Sequence, residues 1–238
     1  MSLYRDRGVV LRTHKLGEAD RIVILLTRDT GKVRAVAKGV RKTKSRFGGR
    51  LEPLTHVDLL LYQGRELDIV TQVETIDHYA AIREDFDRLA RAVSMLEAAD
   101  QVAMEREANP ELYRMLVGAL RELATRDPPL VAPAFFLKLL ALEGYRPQVE
   151  ACGVCGAEAG LTSWAITEGG LRCAAHRQGV AISPDALEIV RQILGGQLGS
   201  ALNQPPSAAT AEVDHLAVKV LEHHLERRLR SVSSLHRA

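Results

Sequence analysis

Aromatic residues are scarce. Four Phe, five Tyr and one Trp amount to 4% of 238 residues, which leaves little surface for recognition built on stacked rings. Cysteine is scarcer still. The three cysteines all fall between residues 152 and 173, and an odd, clustered set is a poor disulfide framework but a plausible metal cluster. No stretch approaches the ~18 unbroken apolar residues of a membrane span, and Met1-Ser2-Leu3-Tyr4-Arg5-Asp6 lacks the apolar run of a signal peptide, so the chain is expected in the cytosol. Hydrophobic residues are not lacking. At 46% they suffice for a buried core without staples, in one large domain or two to three small ones.

The formal net charge of +2 hides an asymmetry. Residues 1–80 hold 15 Lys/Arg against 10 Asp/Glu, so the remaining residues carry 17 against 20. Between Lys32 and Arg50, eight of nineteen residues are basic (Lys32, Arg34, Lys38, Arg41, Lys42, Lys44, Arg46 and Arg50) and none is acidic. Local charge, not overall pI, is the informative quantity.

Period-two apolar patterning predicts five short strands in the first eighty residues, roughly 7–13, 21–27, 32–38, 54–62 and 67–76. They are separated by turn signals at Gly17, Asp29-Thr30-Gly31, Gly48-Gly49 and Gln63-Gly64. Five strands so closely spaced can close into a small Greek-key barrel such as the OB-fold, with an SH3-like barrel as the nearest rival. From Ile82 the period becomes helical. Ile82, Phe86, Leu89, Val93 and Leu96 predict one long helix with that stripe inward, and a second helix starts at Asn109-Pro110 and carries Leu112, Leu116, Leu120 and Leu123. A third is predicted from about Pro133 to Glu143, stopped by Gly144, and a fourth starts at Ser183-Pro184. A last one is capped by Thr210, and Gly199 to Pro206 reads as a linker. The fold class is therefore α+β: a five-stranded barrel over 1–80, then a helical domain over 81–238 with an insert at about 148–180.

The insert holds the sharpest motif. Cys152-Gly153-Val154-Cys155, seventeen intervening residues and Cys173-Ala174-Ala175-His176 give Cys-x2-Cys followed by Cys-x2-His. Each two-residue gap lets a tight knuckle aim two ligands at one tetrahedral ion, with Gly153 and Gly156 supplying backbone freedom. Residues 161–166 and 171–173 flank Thr167-Glu168-Gly169-Gly170 as in the hairpin of a zinc ribbon. Four protein ligands leave no open position for water, so the spacing predicts one structural Zn2+ and no catalytic residue. Free thiols or a redox pair are the bland alternative, but no βαβ pattern precedes Cys152. A zinc deaminase would want His-x-Glu ahead of the cysteines, which is absent.

The basic run is the second signal. On a strand, Lys32, Arg34 and Lys38 share one face with Val36, while Val33, Ala35 and Ala37 share the other. The segment Gly39–Arg50 has no apolar periodicity and is expected to be a mobile loop. Strand and loop together could track a phosphate backbone, because each Lys or Arg that replaces a condensed counterion adds salt-sensitive affinity without reading sequence. Phe47 is the only ring in the loop, so base-specific readout is not supported. The plain alternative is a solvated surface. Glu18 and Asp20 beside Gly17 read as turn and ion-pair residues, His215, His223 and His224 as helix-surface residues, and Phe135-Phe136 as core.

Three segments resemble the bacterial RecO recombination-mediator family: Leu16-Gly17-Glu18-Ala19-Asp20-Arg21, then Gly31-Lys32-Val33 with Ala37-Lys38-Gly39-Val40-Arg41, and Ser45-Arg46-Phe47-Gly48-Gly49-Arg50-Leu51-Glu52-Pro53. The order of barrel, helices and Cys-x2-Cys insert extends the resemblance along the chain, with His176 standing where four-cysteine relatives have a fourth cysteine. The resemblance implies an OB-fold followed by a helical domain with an embedded zinc ribbon. It also implies binding of single- and double-stranded DNA and annealing of complementary strands. The partners implied are RecR and single-stranded-DNA-binding protein, with a functional link to RecA, all in the cytoplasm near the nucleoid. An RNA-binding or ribosome-associated zinc protein is the competing class, and a zinc hydrolase or deaminase on nucleic acid is the enzymatic one.

Overall fold

Five strands lie where the period-two runs place them: β1 Leu3–Leu16, β2 Asp20–Thr27, β3 Gly31–Ala37, β4 His56–Tyr62 and β5 Asp68–Asp77. The computed structural model describes residues 2–43 and 45–229. The strands close in the order β1-β2-β3-β5-β4, with β4 returning to β1. β3 meets β5 in parallel and the other neighbours are antiparallel, which is OB-fold connectivity. One long strand serves two neighbours. Residues Leu3 to Val9 pair with β4 and Gly8 to Leu16 with β2, and a bulge between Val10 and Arg12 turns the strand from one to the other. At that bend Val9, Val10 and Leu11 are all buried in succession.

The barrel interior is filled by small and branched side chains, including Val10, Val23, Leu25, Val33, Ala35, Ala37, Val57, Leu59, Leu61 and Val70. Alternation on β3 is as expected, with Val33, Ala35 and Ala37 inward and Arg34 exposed. Phe47 and Leu51, from the segment between β3 and β4, plug the same core. The barrel is closed by a buried carboxylate. Asp68, fully buried beside the short β3–β5 pairing, accepts hydrogen bonds from the Tyr4 hydroxyl, the Gly64 N–H at 3.0 Å and the Arg106 guanidinium at 2.6 Å.

Contacts divide the chain into two compact units, Met1–Thr125 and Arg126–Ala238. In the first, α1 Ala80–Arg83, α2 Phe86–Val102 and α3 Pro110–Thr125 accompany the barrel. The expected single long helix from Ile82 is two. Asp85 caps α2 by accepting the Arg88 N–H, and this fresh start resets the helical phase. Phe86 is therefore 70% exposed and Val93 also faces outward, while Ala92, Met95, Leu96 and Ala99 form the buried stripe. Helix α3 matches expectation: the Asn109 carboxamide oxygen accepts the Leu112 N–H at 2.9 Å, and Leu112, Leu116, Leu120 and Leu123 are fully buried.

In the second unit α4 Val131–Leu142, α5 Pro184–Leu194 and α7 Ala208–His224 pack on one another. Phe135 and Phe136 are buried, as the core reading requires. The predicted linker at 199–206 contains the end of a short helix, α6 Leu198–Leu202. The cap of α7 is Ser207, not Thr210. Thr210 is the reciprocal partner in a capping box, so the helix begins most of a turn earlier than its apolar stripe announces.

His56 on β4 and Tyr113 on α3 join barrel to helix through a 2.7 Å hydrogen bond between His56 Nε2 and the Tyr113 hydroxyl. Burial, together with the nearby Arg121 and Arg7 guanidinium groups and opposed by Asp77, lowers the His56 pKa to about 4. In the unfolded chain the imidazole gains its proton near pH 6.5, so between 6.5 and 4 the unfolded state holds more protons. Stability is then full above pH 6.5 and falls as pH drops toward 4, by up to about 3 kcal/mol from this group. An NMR titration should place the His56 midpoint near 4, and a midpoint near 6.5 would contradict the buried neutral imidazole.

Candidate metal centre and nucleic-acid interface

Four short strands build the candidate metal centre: β6 Gln148–Cys152, β7 Leu161–Ala165, β8 Gly170–Cys173 and β9 Val180–Ala181, in the order β6-β8-β7-β9. β7 and β8 form the antiparallel hairpin expected around 167–170. β6 delivers Cys152 at its end. The chain then turns back on itself, the Gly156 N–H donating to the Cys152 carbonyl at 2.9 Å and the Cys152 N–H to the Ala157 carbonyl at 2.8 Å. Gly156 sits at φ +71°, where a side chain is disfavoured. β8 delivers Cys173, and a 3-10 turn over Ala174–His176 swings His176 back beside it. Trp164 lies fully buried under this sheet. Its carbonyl leaves no room for a side chain on Gly179, whose Cβ would come within 2.0 Å.

One ligand atom from each of Cys152, Cys155, Cys173 and His176 lies within 4.8 Å of all the others, so the four can hold a metal ion. Cys155 Sγ is 3.8 Å from Cys173 Sγ, and His176 Nδ1 is 3.3 Å from Cys173 Sγ and 3.9 Å from Cys152 Sγ. The surroundings favour a thiolate at Cys152 and Cys173, whereas at Cys155 the Ala157 N–H is outweighed by the neighbouring Cys152 sulfur, burial and the Cys173 sulfur, which raise the pKa. Backbone N–H groups of Cys173, Cys155 and Val154 push the Cys152 thiol down to about 6. The His176 ring lowers the Cys173 pKa, and the Cys173 sulfur in turn raises that of His176.

The eight cations of the basic run divide into two groups. Lys32 and Arg34 are engaged within the chain. Lys32 Nζ donates to the Asp100 carbonyl at 2.7 Å and lies 3.5 Å from its carboxylate, and Arg34 is 3.7 Å from Glu105. Backbone bonds from Lys32 N–H to the Met104 carbonyl and from Arg106 N–H to the Lys32 carbonyl hold the 104–106 segment against β3. Gly31 abuts Glu107 there, with room for no side chain. Lys38, Arg41, Lys42, Arg46 and Arg50 are exposed, and Lys44 lies outside the described residues.

The segment expected to be a mobile loop is stitched down at both ends. At its start the Asp20 carboxylate accepts the Gly39 N–H at 2.7 Å, and the Ala19 and Gly17 carbonyls accept the Arg41 N–H and guanidinium at 2.9 and 3.1 Å. Asp20 thus belongs to turn chemistry, as read from the sequence, and Glu18 is an exposed residue of the turn between β1 and β2. At its end Phe47 and Leu51 enter the core, and Arg21 pairs with Glu52 at 2.5 Å. Phe47 is 1% exposed, so it offers no face to a base. The ring is instead covered by the Arg46 guanidinium, 4.8 Å from its centroid.

Sequence reasoning missed Arg12 and His14. The register Arg12↔Ile24↔Arg34 puts β1 on the same outer face as β3, where Arg12, His14, Lys32, Arg34 and Glu105 line a groove of about 190 Å³. Period-two exposure of Arg12 and His14 on β1 was the available signal. Asp100 reaches this face too, at 2.5 Å from Arg12.

Two family models match the chain: "Recombination protein O N terminal" over residues 1–79 and "Recombination protein O C terminal" over residues 83–233. Three proteins named "DNA repair protein RecO" are similar to it end to end. The one from Thermobifida fusca is 44% identical and covers 100% of both chains. Those from Bifidobacterium adolescentis and Frankia casuarinae are each 46% identical, over 99% and 100% of this chain and all of their own length.

Replacing Cys152 and Cys155 together by Ser should abolish metal binding at the centre and lower the melting temperature by on the order of 5 °C or more, at roughly 2–4 °C per kcal/mol for a chain of this size. Unchanged metal content and melting temperature would remove the metal centre from the account.

Proposed function

Because this chain belongs to the Recombination protein O family of DNA repair proteins, we propose that it is a recombination mediator that binds single- and double-stranded DNA and anneals complementary strands. It does so with RecR, on DNA coated by single-stranded-DNA-binding protein, and helps load RecA. It acts in the cytoplasm at the nucleoid. No helix among the described residues is long and apolar enough to cross a membrane. Residues 1–80 are the DNA-binding domain, and residues 81–238 are the helical domain that carries the ribbon.

One observation carries this reading: a run from Lys38 to Arg50 with six cations, no acid and both ends fixed to the barrel. Phosphates displace counterions from such a run without base contacts, so binding is electrostatic and indifferent to sequence. Neutralising two strands on one surface lowers the repulsion between them, and that is the physical content of annealing. Lys38, Arg41, Lys42, Lys44, Arg46 and Arg50 carry the contacts. Lys32 joins them only by leaving Asp100, whereas Arg34 is exposed and held by a weak 3.7 Å surface pair with Glu105.

The metal of the ribbon is zinc, one per chain, held by Cys152, Cys155, Cys173 and His176. Tetrahedral zinc with Zn–S of about 2.3 Å requires sulfurs about 3.8 Å apart, and the Cys155–Cys173 separation of 3.8 Å supports the choice. Bound there, zinc supplies folding energy and no chemistry, since four protein ligands leave water no place. The mediator therefore works by binding, without turnover. Elemental analysis should return one zinc per chain.

If about five of the cations contact one strand, the log–log salt slope of affinity is near −3.5, from roughly −0.7 per contact. Replacing Arg41, Lys42 and Lys44 together by Ala should flatten it by about two and weaken binding to unrelated sequences almost equally. Melting temperature should fall little, because Arg41 and Lys42 are exposed and Arg41 gives up one exposed hydrogen bond to the Gly17 carbonyl. An unchanged slope would reduce the basic run to a solvated surface.

A further inference from the structure

The outer face of the barrel and helix α3 enclose a cavity of about 650 Å³ within the first unit. One wall is a cross-strand row, Arg7 on β1 opposite Asp58 on β4 opposite Glu74 on β5. The other is a stripe of α3, where Arg114 and Arg121 stand seven residues apart, about two turns, with Gly118 between them. Arg28, itself 3.3 Å from Asp29, adds a fourth guanidinium to the lining, which includes the two carboxylates Asp58 and Glu74. Asp58 is already paired with Arg7 at 3.3 Å.

Gly118 has no steric reason to be glycine. A Cβ built on it meets no heavy atom within 4 Å, and its backbone does not need a positive φ. Glycine inside a helix weakens it, so the position gives up helix stability and keeps open the floor of an arginine-lined cavity. The cavity also adjoins the basic run. Thr75 lines it and equally lines a neighbouring depression of about 490 Å³ formed with Arg50, Thr55 and His78.

We propose that this cavity is a phosphate-binding extension of the DNA path, in which the strand held on the basic run passes Arg50 and Thr75 and lays its backbone against Arg114 and Arg121. The inference rests on the DNA-binding function proposed above and lengthens its site. The strand that leaves the run meets guanidinium groups on a rigid helix, which bind phosphate with the planar geometry lysine lacks. The extension makes a testable difference only for strands long enough to reach it.

Gly118→Glu puts a carboxylate between arginines at i−4 and i+3, where it pairs with both and repels phosphate, while improving the helix. Affinities should be measured by fluorescence anisotropy on the full chain, with oligonucleotides of about six and about twenty nucleotides, spanning typical OB-fold site sizes. Gly118→Glu should weaken the long oligonucleotide about tenfold at low salt, the loss of one to two phosphate contacts, and the short one less than twofold. Arg114→Ala should act in the same direction, and Gly118→Ala should bind both as the parent does, with a melting temperature that is not reduced. Equal affinity of Gly118→Glu and parent for the long oligonucleotide would overturn the extension. So would slowed annealing with single-strand affinity intact at both lengths, which would assign the cavity to the other strand. A parent that binds neither oligonucleotide would instead sink the DNA-binding function itself.

Discussion

The first unit depends on how its barrel closes. β3 and β5 touch over only two register pairs, Ala35↔Asp68 and Val36↔Ile69, so backbone hydrogen bonding alone holds the seam weakly. Asp68 makes up the difference. A fully buried carboxylate is costly unless both oxygens are hydrogen-bonded, and three donors from Tyr4, Gly64 and Arg106 converge on the two oxygens from three parts of the chain. Burial and that same contact raise the Tyr4 pKa, so the phenol remains a donor at any physiological pH. Arg106 draws the 104–106 segment onto the edge of β3, and with it come Glu105 and the end of α2. Barrel closure and the neutralisation of Lys32 and Arg34 are thus consequences of one packing solution.

That solution sorts the basic residues by role. A count of eight cations without an acid treats them as equivalent, yet Asp100 and Glu105, about seventy residues later in the chain, reach the two on β3. The remainder sits on a segment whose ends are fixed by Asp20, Phe47, Leu51 and the Arg21–Glu52 pair. The conspicuous motifs of the first fifty residues therefore meet in space. Asp20 of the first hairpin caps Gly39, and Gly31-Lys32 seats the 104–107 segment. These residues shape the platform on which the exposed cations sit, and the proposed DNA path runs over those cations.

Much of this was legible in the sequence because the signals were local. Strand alternation, the Asn109-Pro110 start, the glycine-flanked knuckles and the Cys-x2-Cys and Cys-x2-His spacing each depend on neighbours a few residues away. The failures share the opposite character. The stripe from Ile82 assumed one unbroken helix, and the cap at Asp85 shifted its phase. Phe47 looked like a loop aromatic because nothing nearby shows that a barrel core lies beneath it. Arg12 and His14 were passed over because only the β1–β2–β3 register brings them beside Arg34. The arginine stripe on α3 was invisible for the same reason, since Arg114 and Arg121 gain meaning only opposite Arg7.

The central claim is that a pinned cationic surface brings two DNA strands together without chemical turnover. It is tested most directly by the annealing rate of two complementary oligonucleotides, one coated with the cognate single-stranded-DNA-binding protein, at increasing concentrations of this chain. The account predicts faster annealing with no nucleotide cofactor, and an acceleration that fades as salt rises. Annealing no faster than in the chain's absence, under conditions where its metal centre is loaded and its fold intact, would contradict it.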